Sequence, residues 1–181
     1  KFHNTQLVVL KNVSVYYGNK SACSDISLTI EQGDRIAVKG KNGSGKTSIL
    51  KLIKGENIEH TGDIIKNPAL KISYISQNSD FLEGSLDDYA NDLDIDTSLF
   101  KAILRKLDFS RDLFEKNMKT YSDGQKKKVL IAGSLCEKAH LYIWDEPLNY
   151  IDVISRIQLE ELILNYSPTL IFVEHDKAFT D

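Results

Sequence analysis

Two cysteines, three prolines, one tryptophan and one methionine in 181 residues leave several classes of protein out of reach. Cys23 and Cys136 stand far apart, with no His or Cys at metal-ligand spacing. That excludes a disulfide scaffold and a zinc module, and it fits buried thiols in a reducing compartment. No run of about 18 apolar residues occurs, so no segment reads as a membrane-spanning helix. A net charge of −3 gives no global pull toward nucleic acid or anionic lipid. No secretory signal is visible, and the chain opens on Lys1 rather than Met. The expectation is therefore a cytoplasmic segment of a longer polypeptide, without membrane insertion of its own. Its length suits one domain with a small subdomain, large enough for a real core.

Against these absences stands one complete motif. Gly40-Lys41-Asn42-Gly43-Ser44-Gly45-Lys46-Thr47 fits the spacing G-x-x-x-x-G-K-[ST]. It follows the apolar run Arg35-Ile36-Ala37-Val38 and precedes Ser48-Ile49-Leu50-Lys51-Leu52-Ile53, the strand–loop–helix context the motif requires. Glycines let the backbone wrap closely around phosphates, and the helix that begins near Ser48 adds the positive end of its dipole. Lys46 is placed to reach the β- and γ-phosphates, and the Thr47 hydroxyl to ligate Mg²⁺. The loop predicts a nucleoside triphosphate ligand.

The rest of the chain reads as an alternation of strands and helices. Leu7–Leu10 and Val13–Tyr17 are β-rich and end in the turn signal Gly18-Asn19. Ile26–Ile30 alternates with period two, and further strands are expected around 62–65, 71–75, 140–144 and 169–173. Helices are expected over 96–107, 123–138 and 153–165. The acid-rich, amphipathic stretch from 80 to 138 reads as a helical subdomain inserted into an α/β core of residues 1–79 and 139–181. Strands alternating with helices after the phosphate loop argue for a mostly parallel sheet.

Leu141-Tyr142-Ile143-Trp144-Asp145-Glu146 is a buried strand ending in two carboxylates. Alone, it could simply be an acidic strand end. Downstream of a phosphate loop, Asp145 is placed to hold Mg²⁺ beside Thr47, and Glu146 to orient or deprotonate the water attacking the γ-phosphate. Tyr121-Ser122-Asp123-Gly124-Gln125 precedes the 123–138 helix, with Ser122 or Asp123 a good N-cap.

Those five residues resemble the "LSGGQ" signature of ATP-binding-cassette (ABC) ATPases, and other landmarks follow in that superfamily's order. Gln77 resembles the Q-loop glutamine that senses Mg²⁺ and the attacking water. His175, in Phe172-Val173-Glu174-His175-Asp176, resembles the switch histidine that hydrogen-bonds the γ-phosphate. Tyr17 resembles the aromatic that stacks on adenine, its neighbour Tyr16 being the one expected in the core. The resemblance implies an α/β P-loop NTPase fold, with an N-terminal antiparallel β subdomain beside the parallel sheet. It implies ATP and Mg²⁺ as ligands. It further implies a partner cassette, over whose ATP Ser122, Asp123, Gly124 and Gln125 close.

Pro147-Leu148-Asn149-Tyr150-Ile151-Asp152 is similar to the "EPTNHLD" stretch of the ABC-F branch, cassette proteins without a membrane domain. With the Asp123 signature, it most resembles the antibiotic-resistance members that act on the ribosome. Tyr121 and Asp123 depart from the usual Leu and Gly. Lys126-Lys127-Lys128 reads as a solvated helix face without a direct role. The alternatives are the nucleotide-binding subunit of a membrane transporter and a cassette of a DNA-repair or chromosome-structure ATPase. The short insertion, in place of a long coiled coil, argues against the last.

Overall fold

Gly18-Asn19 closes a long hairpin. In a computed structural model, which describes residues 5–40 and 45–175, β1 (Gln6–Tyr17) and β2 (Lys20–Glu31) pair antiparallel. Their register runs from Tyr17↔Lys20 back to Gln6↔Glu31. Gly18 takes the first loop position at φ 63°, a left-handed value that two-residue hairpin loops demand and glycine supplies without strain. β3 (Arg35–Gly40) leads to the phosphate loop, and α1 (Lys46–Lys54) leaves it. β4 (His60–Lys66) then returns along the free edge of β1, giving the antiparallel order β2-β1-β4.

The second sheet holds β3, β5 (Ile72–Ile75), β6 (Leu141–Asp145) and β7 (Leu170–His175) in the order β3-β7-β6-β5. β3 and β6 both pair parallel with β7. Strands covered on both faces read as continuous apolar runs, as Leu141–Trp144 and Leu170–Val173 do, whereas on the edge strand β3 Ile36 and Val38 are half-buried and Ala37 is exposed. Val8, Leu10, Val13, Val15 and Ile30 of the antiparallel sheet share one core with Ile49, Leu50 and Ile53 of α1 and with Ile143, Ile171 and Val173. Each fully buried aliphatic side chain there contributes about 1.5–3 kcal/mol of transfer free energy. The described residues up to Tyr74, with Ala139–Glu146 and those from Pro168 on, form this first compact unit.

Ile75–Lys138 and Pro147–Ser167 form the second unit. The expected boundary differs at two places: the Gln77 segment and Pro147–Ser167, read from sequence as part of the sheet core, both cluster with the helices. These are α2 (Leu86–Leu93), α3 (Thr97–Lys106), α4 (Asp123–Cys136) and α5 (Val153–Tyr166). Side chains start them: Ser85 accepts from the Asp88 N–H, Asp96 from Leu99 and Asp152 from Ser155. Phe100, Ile103, Leu104, Leu107 and Met118 are buried at the centre of this unit. Gly133 leaves room for the Tyr89 ring, whose carbon a Cβ at 133 would meet at 3.0 Å. Tyr121 is buried, and its hydroxyl donates to the Leu113 carbonyl at 2.6 Å. Burial pushes that hydroxyl's pKa up to about 12, so it remains a donor. The departure from leucine at the start of the signature thus has a packing role.

Candidate functional site

Register brings the strand ends together. Gly40 pairs with His175 and Asp145 with Val173, so β3, β6 and β7 finish along one edge of the parallel sheet. Ligands of open parallel sheets bind outside these carboxyl ends. Lys41, Asn42, Gly43 and Ser44 lie outside the described residues. At Gly40 and His175 the backbone alone is described, so the switch role of the histidine side chain stays an expectation.

α1 starts at that edge. Its N-cap, Gly45, is left-handed (φ 85°, ψ 11°), no side chain caps the helix, and no acidic residue occupies the first turn. Helix N-terminal N–H groups left without a side-chain cap suit an incoming anion. Gly45 is also fixed by contact, since a Cβ there would stand 2.4 Å from the Ala22 carbonyl oxygen. Lys46 is buried, and its Nζ donates to the Glu174 carbonyl at 3.1 Å. The Ser48 hydroxyl lies 2.7 Å from that of Tyr17, which ties the end of β1 to the phosphate helix. Tyr17 is 53% exposed whereas Tyr16 is partly buried, which leaves the Tyr17 ring as the one open to a planar base.

Asp145 ends β6 and is wholly buried. Glu146, nearly buried, follows with φ 52°. A left-handed backbone is costly for a residue with a Cβ. α1 packs against β6, the strand carrying them. On β5 the Tyr74 hydroxyl is buried without a hydrogen-bond partner. Burial first, then the charges of Asp145 and Glu56, push its pKa upward.

The donor set fits magnesium. Among the described residues, no group of three or more His, Cys, Asp or Glu could hold a metal by itself. Mg²⁺ bound to a nucleotide takes most of its ligands from phosphates and water and needs one or two protein oxygens. The Thr47 hydroxyl, in the first turn of α1, and the buried Asp145 carboxylate, on the strand α1 packs against, offer them.

The helical unit carries the remaining candidates. Ser122 is the N-cap of α4 in a reciprocal capping box: its hydroxyl accepts from the Gln125 N–H at 3.2 Å, and the Gln125 side chain accepts from the Ser122 N–H at 2.9 Å. Asp123 is exposed in the first turn. Gly124 packs so closely that a Cβ would stand 2.4 Å from the Tyr150 carbonyl oxygen. Gln77 is exposed, and its carbonyl accepts from Lys127 Nζ at 3.1 Å.

The lysine run corrects the sequence reading. Lys126, Lys127 and Lys128 are buried (9%, 2% and 7% exposed), not a solvated face. Lys127 donates to the Gln77 carbonyl, and Lys128 pairs with Asp152 at 3.2 Å. Asp152 has its pKa lowered to about 2; burial would raise it, but the Ser155 N–H and hydroxyl and the Lys128 ammonium outweigh that. The Glu174 carbonyl, the Tyr17–Ser48 contact, Lys127 and Lys128 were not legible in sequence, because each depends on long-range pairing rather than on spacing.

A phosphate loop between β3 and α1, with carboxylates at the end of β6, defines a P-loop nucleotide-binding domain. The ABC transporter family profile matches residues 23–149, and the chain belongs to that family. It is an ABC ATPase domain, with ATP as substrate and Mg²⁺ as cofactor. The ribosome protection protein VmlR of Bacillus subtilis is 31% identical over 95% of this chain, which covers 32% of that protein. ABC transporter F family member 2 of Arabidopsis thaliana is 29% identical over 96% of this chain, which covers 26% of it. The chain thus spans a third or less of these ABC-F relatives. The zinc import ATP-binding protein ZnuC of Wigglesworthia glossinidia brevipalpis is 32% identical over 94% of this chain and 76% of its own. A putative ABC transporter ATP-binding protein from Pyrococcus furiosus shares the fold (TM-score 0.80, 23% identity, 96% of this chain and 93% of that one). No helix among the described residues is long and apolar enough to cross a membrane.

Proposed function

We propose that this domain is one cassette of an ABC-F-type ATPase that acts on the ribosome in the cytoplasm and protects it from antibiotics. The observation that carries the reading is Glu146-Pro147-Leu148-Asn149-Tyr150-Ile151-Asp152, the ABC-F-like stretch, in a chain that aligns over 95% of its length with a ribosome protection protein.

Two cassettes sandwich ATP head to tail. Lys46 leaves the Glu174 carbonyl for the β- and γ-phosphate oxygens, and the first-turn N–H groups of α1 complete the phosphate cradle. The Tyr17 ring stacks on adenine. Thr47 and Asp145 would hold magnesium, with Gln77 sensing it, and the ion would supply neutralisation of phosphate charge. Glu146 accepts the proton of the attacking water, which adds to the γ-phosphorus as ADP departs, while His175 holds the γ-phosphate. From the partner's side, Ser122 donates its O–H across the interface, since its oxygen already accepts from Gln125. Gly124 and Gln125 bring backbone N–H groups and the α4 dipole. Asp123 must point away from the phosphate, or the composite site slows. The segment alone then binds nucleotide but hydrolyses it poorly, because half of each site is missing.

A second reading, the ATP-binding subunit of a membrane transporter, is favoured by the match to ZnuC over 76% of that protein's length. Ribosome co-sedimentation of the full-length protein carrying Glu146→Gln separates the two. The expected result is ATP-dependent pelleting with ribosomes and turnover reduced by about 10² or more. No pelleting with any nucleotide would remove the ribosomal role, and turnover like wild type would remove Glu146 as the base.

A further inference from the structure

The first two turns of α4 touch two separate loops. Gly124 abuts the Tyr150 carbonyl, and Lys128, one turn on and on the same face, pairs with Asp152 of the same loop. Lys127 projects from the neighbouring face to the Gln77 carbonyl, 50 residues back in the chain. Lys127 as a residue is 2% exposed, and burying a lysine charge costs several kcal/mol unless hydrogen bonds compensate. A methionine would pack in the same space without that cost, so the charge is there for what it holds.

We infer that Lys127 is a positioning residue that ties the Gln77 loop to the signature helix, so that loop and helix shift as one body when nucleotide binds. This rests on the ATPase reading for its effect on turnover. Gln77 sits on the tethered loop, while Ser122 and Gly124 sit on the helix that holds the tether. A nucleotide sensed by Gln77 in one cassette is then reported to the signature that the same chain offers to its partner. The bond uses a backbone carbonyl, so the identity of residue 77 does not make it; Lys127 alone does.

The test compares Lys127→Met, Lys127→Arg and Gln77→Ala in the full-length protein, singly and with Lys127→Met and Gln77→Ala combined. Lys127→Met is expected to lower kcat about tenfold while KM for ATP changes less than about twofold, and Lys127→Arg to restore most of the loss. In the Gln77→Ala background Lys127→Met should cost little more, because both changes disable one device. An unchanged kcat, or an undiminished loss in the Gln77→Ala background, would overturn the inference. Hydrogen exchange supplies a readout independent of turnover. Amides of 76–79 should exchange about tenfold faster in Lys127→Met with or without ATP, and unchanged exchange there would overturn the tether itself. Should Lys127→Met not fold, Lys127→Gln, whose amide is too short to reach the carbonyl, takes its place. Wild-type protein that neither binds nor hydrolyses ATP would defeat the ATPase reading, and the exchange measurement would still decide the tether.

Discussion

Lys46 Nζ donates to the backbone carbonyl of Glu174 at 3.1 Å, joining the first residue of α1 to the residue before His175. Without phosphate, a buried ammonium needs an acceptor, and the end of β7 provides one. In the proposed mechanism the same lysine exchanges that carbonyl for phosphate oxygens when ATP arrives.

Lys46→Ala is expected to weaken ATP binding by at least about tenfold and to abolish measurable turnover, since a charge-assisted hydrogen bond contributes about 1.5–3 kcal/mol. Nucleotide titration and activity equal to wild type would contradict the assignment of the loop.

Tyr17 offers a contrast between ring and hydroxyl. Tyr17→Ala should weaken ATP by about 1–3 kcal/mol, the usual worth of a base-stacking aromatic. Tyr17→Phe keeps the ring but removes the 2.7 Å contact to Ser48, so it should retain affinity to within about threefold. If Tyr17→Ala binds ATP as tightly as wild type, the exposed ring is not the adenine platform.

Asp152 gives a pH dependence with a definite sign. Its folded pKa of about 2 lies below the ordinary unfolded value of about 3.9. Its contribution is therefore complete above about pH 4 and is lost as pH falls from about 4 toward 2. The side chain is 52% exposed, so screening reduces the contribution to about 1 kcal/mol or less. Asp152→Asn should lower Tm by about 1–4 °C at pH 7 and by much less near pH 2, read by thermal melts across that range. Equal losses at both pH values would mean the carboxylate's charge is not what matters.

Much of the fold could be read before any coordinates, because its signals are local. Gly18-Asn19 marks the hairpin, the apolar runs mark the parallel strands, and an N-cap at Ser122 or Asp123 marks the start of α4. Residues whose roles are set by distant partners could not be read. Lysine at 126–128 looks like solvent-facing charge, since nothing nearby in sequence reveals that the Gln77 carbonyl and Asp152 wait for it. In α5, Ser155 is wholly buried while Val153, Ile154 and Ile157 are exposed. Ser155 reaches the Leu107 carbonyl at 3.0 Å, a polar contact that hydrophobic periodicity ranks the wrong way round. At the site, motif spacing points to Lys46 and an apolar strand ending in two carboxylates points to Asp145 and Glu146, but neither reveals the carbonyl on which Lys46 rests.

Glu146 holds φ 52°, a conformation that asparagine and glycine tolerate far better than glutamate. Selection for heat resistance alone would thus drift toward Asn or Gly at 146, relieving about 1 kcal/mol of backbone strain while deleting the proposed base. Sturdier clones from such a screen would be the inert ones, so thermal selection on this cassette has to be run with position 146 locked.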